Sequence, residues 1–214
     1  MSRRARLIAA ILAAPLAGCV SVLPEADPPA PRFALTPVAG AAEYAGLGDS
    51  LAGGHVGWAL VIDDPVASRA IDTTKIALKD EPEQYRYFSG GEWTDRTPRL
   101  VELALVRSFE NSGRILGVGG RANIAAADLV LQTDVRAFEA QVAGRGRAPD
   151  AVVEIYARLT DLRGETLAAR LFSARVAAGS DEASDVASAI NAAAGQTITE
   201  IVDWTFESGS ASRG

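Results

Sequence analysis

The residue with the most chemistry to offer is Cys19, the only cysteine in the chain. It directly follows Leu16-Ala17-Gly18, and the four residues match the pattern of a bacterial lipobox. In that pattern the cysteine thiol is acylated, the chain is cut before it, and the new amino group is acylated in turn. Each buried methylene contributes about 0.8 kcal/mol and stable anchoring takes more than one chain, so a multiply acylated Cys19 would hold a domain on a bilayer. The other reading is a secreted protein in which Cys19 is an incidental free thiol. Elsewhere the means of catalysis are sparse. His55 is the only imidazole, in the context Gly53-Gly54-His55-Val56-Gly57-Trp58, with no serine motif aimed at it. It reads as a loop or strand-edge histidine. The acidic pairs Asp63-Asp64, Asp80-Glu81 and Asp181-Glu182 all border elements, where turns and helix N-termini account for acids. A lone histidine with no second thiol leaves a transition metal almost no ligands. Ile115-Leu116-Gly117-Val118-Gly119-Gly120 lacks the Gly-Lys-Ser/Thr of a phosphate loop and the glycine spacing of a dinucleotide site. No catalytic residue, metal or cofactor is therefore expected. Trp58 and Trp204 read as core, whereas Trp93, with Tyr85 and Tyr87 near it, is either core cover or a possible partner interface, since Trp and Tyr are enriched at hot spots.

The residues before Cys19 read as an address. Arg3, Arg4 and Arg6 precede the eight apolar residues Leu7 to Ala14, which is a secretory signal. A membrane span needs about 20 apolar residues. Cleavage before Cys19 removes three of the 21 basic residues, leaving 18 against 27 acidic ones and a net charge of −9. That balance argues against nucleic acid, whose phosphates call for clustered Lys and Arg. With Cys19 acylated no thiol remains for a disulfide, so stability must come from packing in one domain. Residues 20–31 hold four prolines in twelve positions, a polyproline-like leash of roughly 35 Å.

The folded part begins with a short, weak strand over Phe33 to Val38, then a glycine- and alanine-rich loop from Gly40 to Gly54. Val56 to Ile62 is continuously apolar and reads as a central strand. Asp63-Asp64-Pro65 ends it, and a short helix is predicted over Ala67–Ile71. Lys75–Leu78 and Tyr85–Phe88 read as strands around a charged turn, the second closing on Gly90-Gly91. Val101, Leu105 and Phe109 step by four in a helix from Thr97 to about Asn111, with Thr97 as cap, Pro98 first in the helix and Gly113 ending it. Asp128 to Val176 alternates like three long strands in a meander. The alternation changes sides near Arg136, which predicts a bulge or an end of cover there. The tip Gly144 to Pro149 is basic and suits a solvated hairpin end, an acidic partner or lipid headgroups. A last helix spans Asp181–Glu207, with Val186, Ile190, Ala194, Thr197, Ile201 and Trp204 as its stripe. The expected architecture is α/β in the α+β sense: one domain with a mixed, mostly antiparallel sheet and two main helices packed on it. The expected segments are a signal peptide at 1–18, lipidated Cys19 and proline-rich linker at 19–31, the domain at 32–207 and a disordered tail at 208–214.

Several stretches in order carry a family resemblance: Phe33-Ala34-Leu35-Thr36-Pro37, Leu60-Val61-Ile62-Asp63-Asp64-Pro65, Glu92-Trp93-Thr94-Asp95-Arg96-Thr97-Pro98-Arg99-Leu100-Val101, Phe109-Glu110-Asn111-Ser112-Gly113, Asp128-Leu129-Val130-Leu131 and Arg136-Ala137-Phe138-Glu139. With the lipobox they resemble the ABC-type transport auxiliary lipoproteins, the PqiC-like partners of MCE lipid-transport systems. The chain departs from many members in having Asp63-Asp64-Pro65-Val66 where they show a longer Pro-Tyr-Leu-type segment. The resemblance implies a mixed sheet backed by helices and no catalysis. It also implies an inner-membrane permease and ATPase as partners, with an MCE protein bridging the periplasm and the lipoprotein meeting it at the outer membrane. Val20, not Asp, follows the cysteine, which by analogy with lipoprotein sorting favours the outer membrane. The expected function is a lipid-anchored, non-enzymatic auxiliary subunit docking the MCE component, with a homo-oligomer possible. The alternatives are a stand-alone lipid- or solute-binding envelope lipoprotein and, third, an envelope hydrolase.

Overall fold

A computed structural model describes residues 29–38, 55–81, 84–124, 126–142, 144 and 146–212. The signal, Cys19, most of the proline-rich leash and the loop expected at 40–54 lie outside them. Among the described residues the chain forms the strands β1 (Arg32–Phe33), β2 (Val56–Ile62), β3 (Val66–Ala67), β4 (Lys75–Glu81), β5 (Gln84–Trp93), β6 (Ile115–Gly120), β7 (Leu129–Gln141), β8 (Asp150–Asp161) and β9 (Thr166–Ala177). Two helices accompany them, α1 (Thr97–Ser112) and α2 (Ala183–Ala211). The strands form one mixed sheet whose longest ladders, β7 with β8 and β8 with β9, are antiparallel. α1 packs on β6 and against α2, which crosses β8 and β9, so both helices cover one face.

β7 is the spine. One edge pairs antiparallel with β8, and the other takes β2, β3 and β4 end to end, all parallel: Leu60 opposite Leu129, Val66 opposite Asp134, Ala77 opposite Glu139. Arg136 is the expected bulge, because Val135 faces Ile155 while Ala137 already faces Glu154. The extra residue keeps Phe138 and Ala140 on the side of Leu131 and Val135, beneath the helices. In β8 the same side carries Ala151, Val153, Ile155, Ala157 and Leu159, all buried.

Four local expectations change. No helix forms at 67–71: Val66 and Ala67 pair with Asp134 and Val135, and only one turn follows, where Ser68 O accepts the Asp72 N–H at 2.8 Å. Few residues remain before β4, too few to offset helix nucleation. The first strand is cut to Arg32–Phe33, because the chain beyond it bonds to helix side chains instead: Thr36 N–H donates to Asn191 Oδ1 (2.8 Å) and Val38 N–H to Ser108 Oγ (3.0 Å). β5 runs through Gly90-Gly91 to Trp93, and a Cβ on Gly91 would stand 2.5 Å from the Phe33 ring, so glycine is what lets β1 lie beside it. In α1 the cap is Arg96, in extended conformation and with no side-chain cap bond. Thr97 is already helical and buried, its N–H turned to Thr73 O at 3.4 Å. Gly113 ends the helix at φ 64°, as expected.

α2 continues to Ala211, so residues 208–211 are helix rather than tail. Its last turn is held by contact, since a Cβ on Gly209 would lie 2.8 Å from the Trp58 ring and 3.0 Å from Leu129. Trp58 also meets Phe206 at 5.8 Å between centroids. The buried hydroxyls of Thr197 and Thr205 donate to the carbonyls of Ala193 and Ile201, four residues earlier in the helix.

Gly209→Ala gains about 1 kcal/mol of helix propensity but forces a methyl into a filled site, at a cost of about 1–3 kcal/mol. The expected net result is a lower denaturant midpoint with an unchanged m-value. Phe138→Ala, which empties the space kept by the bulge, is expected to cost about 3–5 kcal/mol in the same measurement.

Candidate functional surface

The lipobox residues Leu16, Ala17, Gly18 and Cys19 lie outside the described residues. Of the three aromatic residues considered for an interface, Trp93 is core: it is 1% exposed, edge-on to Phe138 at 5.5 Å and to Phe33 at 6.5 Å. Its place at the end of β5 points it beneath the helices, so it offers a partner nothing. Tyr85 and Tyr87 lie on the opposite face, which no described element covers. Tyr87 is 41% exposed, with Lys75 Nζ 5.5 Å from its ring centroid and its hydroxyl donating to Ala70 O at 3.1 Å.

That open face carries hydrogen-bonded side chains from strand to strand. The Tyr85 hydroxyl donates to Glu139 Oε2 (2.8 Å) and Gln141 Nε2 donates to Glu139 Oε1 (3.1 Å), with Glu139 itself buried. Burial, then the Glu139 carboxylate, pushes the Tyr85 hydroxyl well above the usual tyrosine range. Towards the start of β7, Arg121 grips Asp63 with two bonds of 3.0 and 2.9 Å, and Gln132 lies between Asp63 (3.4 Å) and Arg158 Nε (3.0 Å). The Arg121 hydrogen bonds hold the Asp63 carboxyl below its usual value against the opposing pull of burial. The stability this lends is present above the ordinary carboxylate pKa and lost as pH falls through the lowered one.

The edge of β7 is interrupted where the chain steps from β2 to β3. Ile62 faces Leu131 and Val66 faces Asp134, so Gln132 and Thr133 have no strand partner on that side. Two hollows open there. The larger, about 530 Å³, lies between β3 and the start of α1. Arg96 pairs there with Asp72, and Arg99 with Glu102. Glu102 is buried, and a Cβ on Gly120 would come within 2.6 Å of its Oε1, so that glycine makes room for the carboxylate. The Glu102 hydrogen bond, joined by the fields of Asp95 and Asp64, holds the Arg99 guanidinium above its usual value. The smaller hollow, about 200 Å³, lies towards the open face, beside Tyr156 and Arg158.

The acids of this surface are largely paired within the chain. His55 is exposed at the start of β2, and the acids Asp63, Asp72 and Glu102 are each tied to an arginine. Among the described residues there is no cluster of His, Cys, Asp or Glu able to hold a metal ion, and no helix is long and apolar enough to cross a membrane. Sequence reasoning placed Asp63 and Asp64 at the border of an element, where β2 ends, but missed that Asp64 lines both hollows and Asp63 the smaller one. The signal available was a pair of acids and a proline closing an apolar strand; the arginines that define the site come from far along the chain.

A family model described as ABC-type transport auxiliary lipoprotein component matches residues 45–202. A crystal structure of a Xanthomonas campestris protein of family DUF330 is 30% identical, with a TM-score of 0.76 over 86% of this chain and 99% of that one. A second solved structure, of a protein described only as uncharacterized, is 12% identical with a TM-score of 0.58, covering 70% of this chain and 93% of that one, a likeness of fold alone. An uncharacterized protein of Bradyrhizobium diazoefficiens is 27% identical over 149 residues, 68% of this chain but 39% of its own length. The chain thus spans well under half of that relative. The match covers α1, the whole of the β7 spine and α2 as far as Val202, and the chain belongs to the family of ABC-type transport auxiliary lipoprotein components.

Proposed function

We propose that the protein is a non-enzymatic, lipid-anchored subunit of an MCE-type ABC system that moves lipid, phospholipid being the class expected. Cys19 fixes it to the periplasmic leaflet of the outer membrane, residues 20–31 set its distance from the bilayer, and the folded domain docks the periplasmic MCE protein. Membership of the auxiliary lipoprotein family carries this reading, supported by the lipobox at Cys19 and by a surface of paired charges with no nucleophile and base in register. Both hollows are open and rimmed by charge, which suits a protein segment better than acyl chains and favours docking over a stand-alone lipid carrier.

Affinity purification of the tagged protein from detergent-solubilised membranes is expected to recover the MCE protein with its permease and ATPase. Repeated recovery of none of the three overturns the assignment to that system. Cys19→Ser is expected to leave the circular dichroism spectrum unchanged and to move the protein to the soluble fraction after a high-salt wash. A variant that still pellets with membranes refutes the anchor.

A further inference from the structure

Among the described residues β9 pairs with β8 alone, so its outer side is an edge of the sheet. The register with β8 is unbroken from Ala168 opposite Leu159 to Ala177 opposite Asp150, and this stretch holds neither proline nor lysine. One hydrogen bond fixes how its backbone points: Ala178 N–H donates to Pro149 O at 2.9 Å. Bonded and non-bonded positions alternate along an antiparallel ladder. Phe172, Ala174 and Val176 therefore direct their N–H and C=O groups at β8, while Ala169, Leu171, Ser173, Arg175 and Ala177 turn theirs outward. The side chains of these five lie on the open face, and all five residues are exposed. A long free edge of this kind is a template for another strand.

Two charges beside the edge decide which strand fits. The Glu154 carboxylate, next to Ser173, has neither ion pair nor hydrogen bond among the described residues. Arg170, on the helix side, has only the Phe172 ring, 4.9 Å from its guanidinium carbon. A complementary strand brings a cation opposite Ser173, whose small side chain leaves a path to Glu154, and acids near Arg170. β9 itself meets both conditions when two copies pair antiparallel about Ala174. Arg175 of one copy then stands opposite Ser173 of the other, roughly 9.6 Å from Glu154 between Cα atoms, within the joint reach of the two side chains. In its own copy Arg175 holds Asp150 (3.3 Å) and Gln141 (3.0 Å), an exposed pairing that adds little to stability and yields to a second carboxylate. Arg170 stands opposite Ala178, at the entry to the turn with the exposed acids Asp181 and Glu182. On the helix side the contacts are Ala174 on Ala174 and Phe172 on Val176, all apolar. Centring the pair on Arg175 sets like charges directly opposite, and centring it on Ser173 moves Arg175 to Leu171, away from Glu154.

We propose that the protein pairs with a second copy of itself through β9, joining two sheets into one with both open faces on the same side. The pairing holds whichever transport system the chain serves, and the oligomeric state tests it separately from co-purification.

The experiment uses the full chain with Cys19→Ser, in which an introduced cysteine is the only thiol. Light scattering over rising concentration is expected to show the mass doubling; a constant monomer mass overturns the proposal. Ala174→Cys is expected to close a disulfide between copies under mild oxidant, because opposed non-bonded residues stand about 4.5 Å apart at Cα. Ala169→Cys, exposed on the same strand but far from the two-fold axis, is expected not to, and equal cross-linking at both sites overturns the register. Ser173→Pro deletes an N–H that β8 does not use, so it is expected to yield only monomer with an unchanged circular dichroism spectrum. Arg175→Glu and Glu154→Arg are each expected to weaken the dimer about three- to thirtyfold and together to restore it. A dimer that survives Ser173→Pro, or a joint swap no better than either single variant, refutes the pairing.

Discussion

Pairing along both edges of β7 is the constraint on which the rest of the structure depends. In the thirteen-residue β7 the buried apolar residues change parity halfway, and the bulge at Arg136 returns them to the face under the helices. Phe138 and Ala140 then enter the same core as Leu131 and Val135. Because β8 follows β7 over its length while β2, β3 and β4 share the opposite edge, one edge is continuous and the other is broken into steps. The two hollows are a product of those steps: they open where β2 has ended and β3 has barely begun.

Close approach at a few glycines sets how the layers meet. Gly209 lets the end of α2 lie on Trp58, and Gly91 lets the Phe33 ring cover β5. Gly120 makes room for the Glu102 carboxylate beneath α1. These contacts are specific in a way that the alanines of α2 are not, because each receives a particular large or charged group, and a methyl added there meets filled space. The larger hollow inherits its shape from the third of them, since Glu102 and its partner Arg99 form part of its wall.

The two faces of the sheet therefore do different work. The covered face supplies stability through apolar burial, while the open face and the two hollows present charges that are mostly paired within the chain. Paired surface charges add little to stability.

The order of elements was legible in the sequence because it rests on local periodicity and on glycine and proline. The meander from β7 to β9, the helix from Thr97, the stop at Gly113 and even the bulge at Arg136 follow from which residues alternate and where the alternation changes sides. The expectation of lipid attachment at Cys19 rests on four adjacent residues, all outside the described ones. Three things were decided only by tertiary contact. Val66–Ala67 became strand because a free edge of β7 lay beside it, and α2 gained its last turn because Gly209 fits Trp58. Of the two places open to Trp93, core cover or interface, it took the core because β5 runs past its glycines to end beneath the helices. The larger hollow belongs with these: Asp64 and Asp95 are far apart in the chain, and no local pattern records that folding sets them around one hollow.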